Sequence, residues 1–196
     1  ASNIRVATTD GERSLYHQRF RQGANLVPRM LMFVRRTQTN PLGVGKGKTE
    51  VRSLRSNLEK PPWKQLPDQT GVVETQFIRS VHLGSTIAPY RCLEPWEAVL
   101  PIHKDHLLSD EGDPAPIGNY PGLAAWWNTA EQTWRDHRQK STKLTLMEQA
   151  DYHNKLSQEL PIPPHRVVYS ASGTSVAAAI VTDQTALVEH SLYWAS

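Results

Sequence analysis

Residues 29–55 read "RMLMFVRRTQTNPLGVGKGKTEVRSLR", and two incompatible folds hang on how this stretch is taken. Gly47-Lys48-Thr49 spells the end of a nucleotide-binding P-loop, which would imply an NTPase with a strand–loop–helix unit here. The pattern G-x-x-x-x-G-K-[ST] needs a glycine five residues before Gly47, and that position is Leu42. A P-loop also follows a buried strand directly and opens a helix. Here Thr37–Pro41 intervenes, and "TEVRSLR" has no apolar stripe at helical spacing. The other reading is a strand over 29–36, a long breaker-rich tip, and a second strand with Val51 and Leu54 set against Glu50, Arg52 and Arg55. That is a basic antiparallel hairpin, spanning 26–55.

The 196-residue chain can bury a real core, and a 38% hydrophobic, 21% charged composition is globular. No apolar run reaches the roughly 20 residues that span a bilayer, so no membrane partner is expected. A single cysteine, Cys92, forbids an internal disulfide and points to a reducing, cytoplasmic setting. The chain opens Ala1-Ser2-Asn3 and not on Met, which reads as a piece of a longer protein. The net charge of +3 hides an asymmetry. Residues 1–55 hold 11 Lys/Arg against 3 Asp/Glu, so +8, and the remainder carries −5. A basic half suggests a polyanion partner.

Residues 1–22 form a polar N-terminal segment, and 23–196 one domain. "SNLEKPPWKQLP" is an irregular segment pinned by prolines. Residues 71–84 fit helix and strand equally, and short strands extend to 102. In "YPGLAAWWNTAEQTWRDHRQK", Leu123, Trp126, Trp127, Ala130 and Trp134 fall on one helix face, more as core than as a base-stacking platform. Thr145 with Glu148 spells a capping box for a second helix running toward Pro161, giving a helical pair over 121–158. The C-terminal strands, 165–190, read as a β-meander. The expected fold class is therefore α+β, with mixed or antiparallel strands and an inserted helical hairpin.

Two further motifs carry little chemistry. Gly173-Thr174-Ser175 resembles the nucleophile segment of subtilisin-like proteases, but the aspartate and histidine motifs that activate such a serine are missing. A hydrolase using Ser175 is thus the least favoured reading. His103 and His106 flank Lys104-Asp105 in a proline-bounded loop and read as surface histidines, so no metal site is expected. Trp63 differs. It lies among Lys60, Pro62 and Lys64, where it suits either base contact or anchoring the loop to the core.

Five strings, in order, carry a family resemblance: "GANLVPRMLMFVRR", "SNLEKPPWKQL", "APYRCLEPWEAVLPI", "YPGLAAWW" and "PIPPHRVVYSASGTSVAAAIVTDQTALVEHSLYWAS". Together they resemble the region behind the catalytic domain in large bacterial adenine-N6 DNA methyltransferases. These are TaqI-like, gamma-class enzymes of restriction-modification or phage-defence systems. In that family a separate domain binds S-adenosylmethionine and carries an Asn-Pro-Pro-Tyr motif beside the flipped adenine. Asn40-Pro41 is followed here by Leu42, so neither catalytic residues nor a cofactor site carry over. The resemblance implies a non-catalytic DNA target-recognition module without a cofactor of its own. Its partners would be double-stranded DNA and the catalytic domain of the parent chain. The residues expected to meet DNA are Arg29, Arg35, Arg36, Lys46, Lys48, Arg52, Arg55, Lys60, Trp63 and Lys64. A structural or protein-interaction domain is the alternative.

Overall fold

The computed structural model describes residues 19–38, 43–108, 116–173 and 177–196. The strands are β1 (Arg21–Gln22), β2 (Phe33–Thr37), β3 (Lys48–Ser53), β4 (Thr70–Glu74), β5 (Ile78–His82), β6 (Ile87–Ala88) and β7 (Arg91–Cys92). They continue as β8 (Trp96–Val99), β9 (Ile102–His103), β10 (His106–Leu107), β11 (Arg166–Ser170), β12 (Ala178–Val181), β13 (Leu187–Val188) and β14 (Leu192–Ala195). Among the described residues two α-helices, α1 (Pro121–His137) and α2 (Leu146–Ala150), lie between β10 and β11. The fold is α+β. A six-stranded sheet has the order β13-β5-β8-β2-β3-β4, and a four-stranded sheet the order β1-β14-β11-β12. Among the described residues no helix is long and apolar enough to cross a membrane.

The basic hairpin exists as β2 and β3, with Arg35 opposite Arg52 and Arg36 opposite Val51. Its first strand starts later than expected. Arg29–Leu31 is a 3-10 turn, and the strand opens at Phe33. Met30 through Val34 are all buried. A strand turns alternate side chains to opposite faces, so the turn is what brings Met30 and Leu31 into the core. Residues 71–84 resolve as strands β4 and β5, separated by a 3-10 turn at Thr75–Phe77 that buries Phe77.

Helix α1 buries the whole expected stripe, Leu123, Trp126, Trp127, Ala130 and Trp134. Pro121 starts it, where a missing N–H costs nothing. The Glu74 carboxylate then accepts from the Gly122 and Leu123 amides at 3.0 and 2.8 Å. Burial pushes that carboxyl up, but these amides outweigh it and hold it below its ordinary value. Gly122 is needed for close approach, because a Cβ there would lie 2.5 Å from the Val72 carbonyl oxygen. The indole N–H groups of Trp126 and Trp134 donate to Leu31 O and Leu144 O at 3.1 and 2.8 Å.

The second helix is much shorter than expected. Thr145 and Glu148 do form the capping box, but α2 ends at Ala150. The Asp151 carboxylate accepts from the amides of Leu156 and Ser157, and His153 and Asn154 take left-handed φ of 57° and 58°. Short polar side chains compete with the helical ladder in this way. Two 3-10 turns replace the missing helix.

The C-terminal strands are not a meander. β11 pairs with β12 and β14, but the intervening β13 leaves for the large sheet and runs parallel to β5. Leu187 and Val188 are buried there. A fully buried ion pair fixes the crossing: Arg166 meets Glu159 at 3.3 Å, and Glu159 also accepts from the Val188 amide at 2.9 Å. Arg166 donates to Asp183 O and Ala186 O at 3.1 and 2.5 Å. Burial pushes the Glu159 carboxyl up to about 8, against the pull of Arg166. Arg21–Gln22 pair with β14, so the last two residues of the segment 1–22 belong to the folded body.

Candidate nucleic-acid interface

The β2–β3 ribbon projects a glycine-hinged tip. Gly43, Gly45 and Gly47 have φ of 75°, 98° and 74°, conformations that side-chain-bearing residues rarely adopt. The tip is tethered to Thr75: Thr75 N donates to Gly47 O at 2.9 Å, and the Thr49 and Thr75 hydroxyls meet at 2.8 Å. Arg36, Thr37, Lys46, Lys48, Thr49 and Glu50 help to line a concavity of about 670 Å³ on this tip. Lys46, Lys48 and Arg35 are exposed.

The ten expected contact residues separate into two kinds. Four arginines are engaged with acids. Arg36 forks onto Glu97 across β2 and β8, with Nη2 at 2.6 Å, and this hydrogen bond raises its pKa above the ordinary value. Arg52 and Arg55 share Asp68, each at 2.8 Å. Burial pushes the Asp68 carboxyl up, and the two guanidiniums outweigh it, leaving the carboxyl below its ordinary value. Arg55 also donates to the Trp63 and Lys64 carbonyls at 2.9 Å each, which clips the 56–68 loop to β3. Arg29 reaches the buried Glu189 at 3.0 Å. Burial pushes the Glu189 carboxyl up, but His190, Ser191 and Arg29 outweigh it and hold it at about 2.

The other cations are available. Arg35, Lys46, Lys60 and Lys64 form no ion pair with a described residue. Lys48 sits across from Glu74 and helps to hold its carboxyl down. Trp63 stacks on Trp134, with ring centroids 5.6 Å apart and 18° between planes, so it anchors its loop to the helical core.

The ten residues do not gather at one place. Arg36, Lys46 and Lys48 belong to the tip, whereas Arg29, Lys60 and Trp63 line a groove of about 580 Å³ at the ribbon's base. They flank opposite ends of β3, whose six residues span about 17 Å at a strand rise of about 3.4 Å per residue. The groove also draws on Glu59, His137, Arg138 and His190, which sequence reasoning did not single out. They come from three separate stretches, and no local spacing links those. Asp68, Glu97 and Glu189 were missed for the same reason.

His103 and His106 face each other across the β9–β10 hairpin, and the His103 ring stacks on Tyr120. Among the described residues no three His, Cys, Asp or Glu side chains gather as a metal site. Leu42 and Ser175 lie outside the described residues. The sequence matches no protein-family profile and no curated relative.

Proposed function

We propose that this chain is a DNA-binding specificity module of a bacterial adenine-N6 DNA methyltransferase in a restriction-modification or phage-defence system. It holds duplex DNA while a separate, S-adenosylmethionine-dependent catalytic domain of the parent protein methylates a flipped adenine in the cytoplasm. The chain itself is non-catalytic in this reading. Base extrusion costs a few kcal/mol, and a second grip on backbone and neighbouring bases supplies it.

One observation carries the proposal. Arg35 on β2 and Lys46 and Lys48 at the tip are exposed on one two-stranded ribbon, and the tip's glycines let the backbone come close to a ligand. Such a ribbon has the width of the DNA major groove, and lysines meet phosphates as point charges. The test is duplex binding across a salt series, with the chain and its Arg35→Ala/Lys46→Ala/Lys48→Ala variant. We expect weaker binding and a log–log salt slope shallower by about 1 for each lost phosphate contact. An unchanged affinity and slope would reject the ribbon as the DNA contact.

A second reading, a protein-interaction domain, is favoured by the outer face of the four-stranded sheet. Val167 and Ile180, opposite each other, are 44% and 62% exposed, beside the stacked Tyr169 and Tyr193. A duplex affinity indifferent to salt would move the assignment toward it.

A further inference from the structure

The outer face of the four-stranded sheet carries aromatic rings that the ribbon does not use. Pairing sets Gln22, Tyr193, Tyr169 and Ala178 side by side across β1, β14, β11 and β12. Directly paired residues share one face, on strands about 4.8 Å apart. Val168, Ala179 and Val181, which alternate with this row, are buried, so the row points away from the core. The next row on the same face holds the exposed Val167 and Ile180.

The rings gather in the first row. Tyr169 and Tyr193 are half-buried and nearly parallel, with centroids 5.3 Å apart and 17° between planes. Phe20 meets Tyr169 edge-on at 5.0 Å. A third tyrosine stands at the end of the row. Tyr90 N donates to Ala178 O at 2.8 Å, and its side chain is 98% exposed. The φ of Tyr90 is 62°, in the left-handed region normally left to glycine and asparagine. An uncommon backbone conformation that holds a tyrosine fully in water points to a contact outside the chain.

Charge completes the row. At one end the Lys155 ammonium donates to Gln22 Oε1 at 2.7 Å, and at the other the exposed Arg91 follows Tyr90. Neither cation forms an ion pair with a described residue. No outward position of the four described strands is an aspartate or glutamate.

An open row of flat rings with a cation at each end matches a polyanion whose bases are unstacked. A duplex keeps its base faces inside its own stack and has none to offer. We propose that the outer face of the small sheet binds single-stranded DNA, with bases on Tyr193, Tyr169 and Tyr90 and phosphates at Lys155 and Arg91. The choice of DNA over RNA rests on the DNA reading of the ribbon; the face itself is a separate site. A protein seated on Val167 and Ile180 is the rival occupant, and it has no use for planar rings as such.

The experiment is fluorescence anisotropy of a labelled oligo-dT strand of about 12 nucleotides, a length within the site sizes of such surfaces, titrated with the full chain. Tyr169→Leu/Tyr193→Leu keeps apolar cover on the sheet and removes the flat faces, and it should weaken binding about tenfold or more. Tyr169→Phe/Tyr193→Phe should bind as the parent does. Tyr90→Gly suits the local backbone, leaves the fold intact and should also weaken binding about tenfold. Arg91→Ala/Lys155→Ala should make the log–log salt slope shallower by about 0.7 for each lost phosphate contact. None of these changes should alter duplex affinity, whereas Arg35→Ala/Lys46→Ala/Lys48→Ala should alter duplex affinity and spare the single strand, so failure here and failure of the ribbon are read separately. No binding of oligo-dT, a leucine pair that binds as the parent does, tighter binding of oligo-rU, or a single-strand affinity that follows Lys46 and Lys48 and not the tyrosines would overturn the proposal.

Discussion

The strands and base of the β2–β3 ribbon use their arginines differently from the way its tip uses its lysines. At its base and along its strands, Arg29, Arg36, Arg52 and Arg55 are held by Glu189, Glu97 and Asp68. At its tip, Lys46 and Lys48 stand in solvent on a glycine-rich turn. Arginine's planar fork suits fixed carboxylate pairs, and lysine's flexible stem suits a diffuse anion. The contrast teaches that a basic cluster counted along a chain mixes charges that build the protein with charges that can meet a partner.

That contrast breaks most visibly at Arg29. Glu189 is fully buried, and Arg29→Ala removes one partner of its charge while His190 and Ser191 remain, at a cost of about 2–3 kcal/mol in urea unfolding. The same carboxyl sets an acid limit. Its ordinary value is 4.5 and its folded value about 2, so its contribution is complete above pH 4.5 and is lost as pH falls toward 2. That contribution is about 3 kcal/mol at 1.36 kcal/mol per unit. Unfolding followed from pH 6 to pH 2 should show the decline, and Arg29→Ala should shrink it. A variant as stable as the parent would place Arg29 with the available cations.

Arg55 comes next. Arg55→Ala removes the bond to Asp68 and those to the Trp63 and Lys64 carbonyls, and should cost about 2 kcal/mol. The released loop should also shift Trp fluorescence, because Trp63 rests on Trp134. Its effect on DNA should follow from lost folding and be absent well below the unfolding temperature. The smallest effect is expected at the tip. Lys46→Ala/Lys48→Ala should change stability by less than about 0.5 kcal/mol, as surface substitutions do. A larger loss would mean that the tip, too, is structural.

Much of the fold was legible locally. The helical stripe from Leu123 to Trp134 and the capping box at Thr145 depend on neighbours in sequence and stand where expected, and the hairpin around Gly43–Gly47 forms with its first strand shifted to Phe33–Thr37. The misplaced elements depend on distant partners. The second helix stops where Asp151 finds the amides of Leu156 and Ser157. β13 departs because Val81 and His82 offer it a parallel edge about a hundred residues earlier in the chain. For the candidate site, residue types were legible but pairings were not. Arg55 and Asp68 are neighbours only because β3 and β4 lie side by side.

By itself the sequence determined what depends on short range: the periodicity that makes α1, the glycines that permit the tip, and the charge that a polyanion would feel. Tertiary structure alone decided which arginines remain available, that Trp63 faces Trp134, and that Glu59, Lys60 and Trp63 share a groove with α1. The reason is physical. Propensity and period act over a few residues. Ion pairs, desolvation and concavity arise only when segments far apart in the chain are brought within a few ångströms.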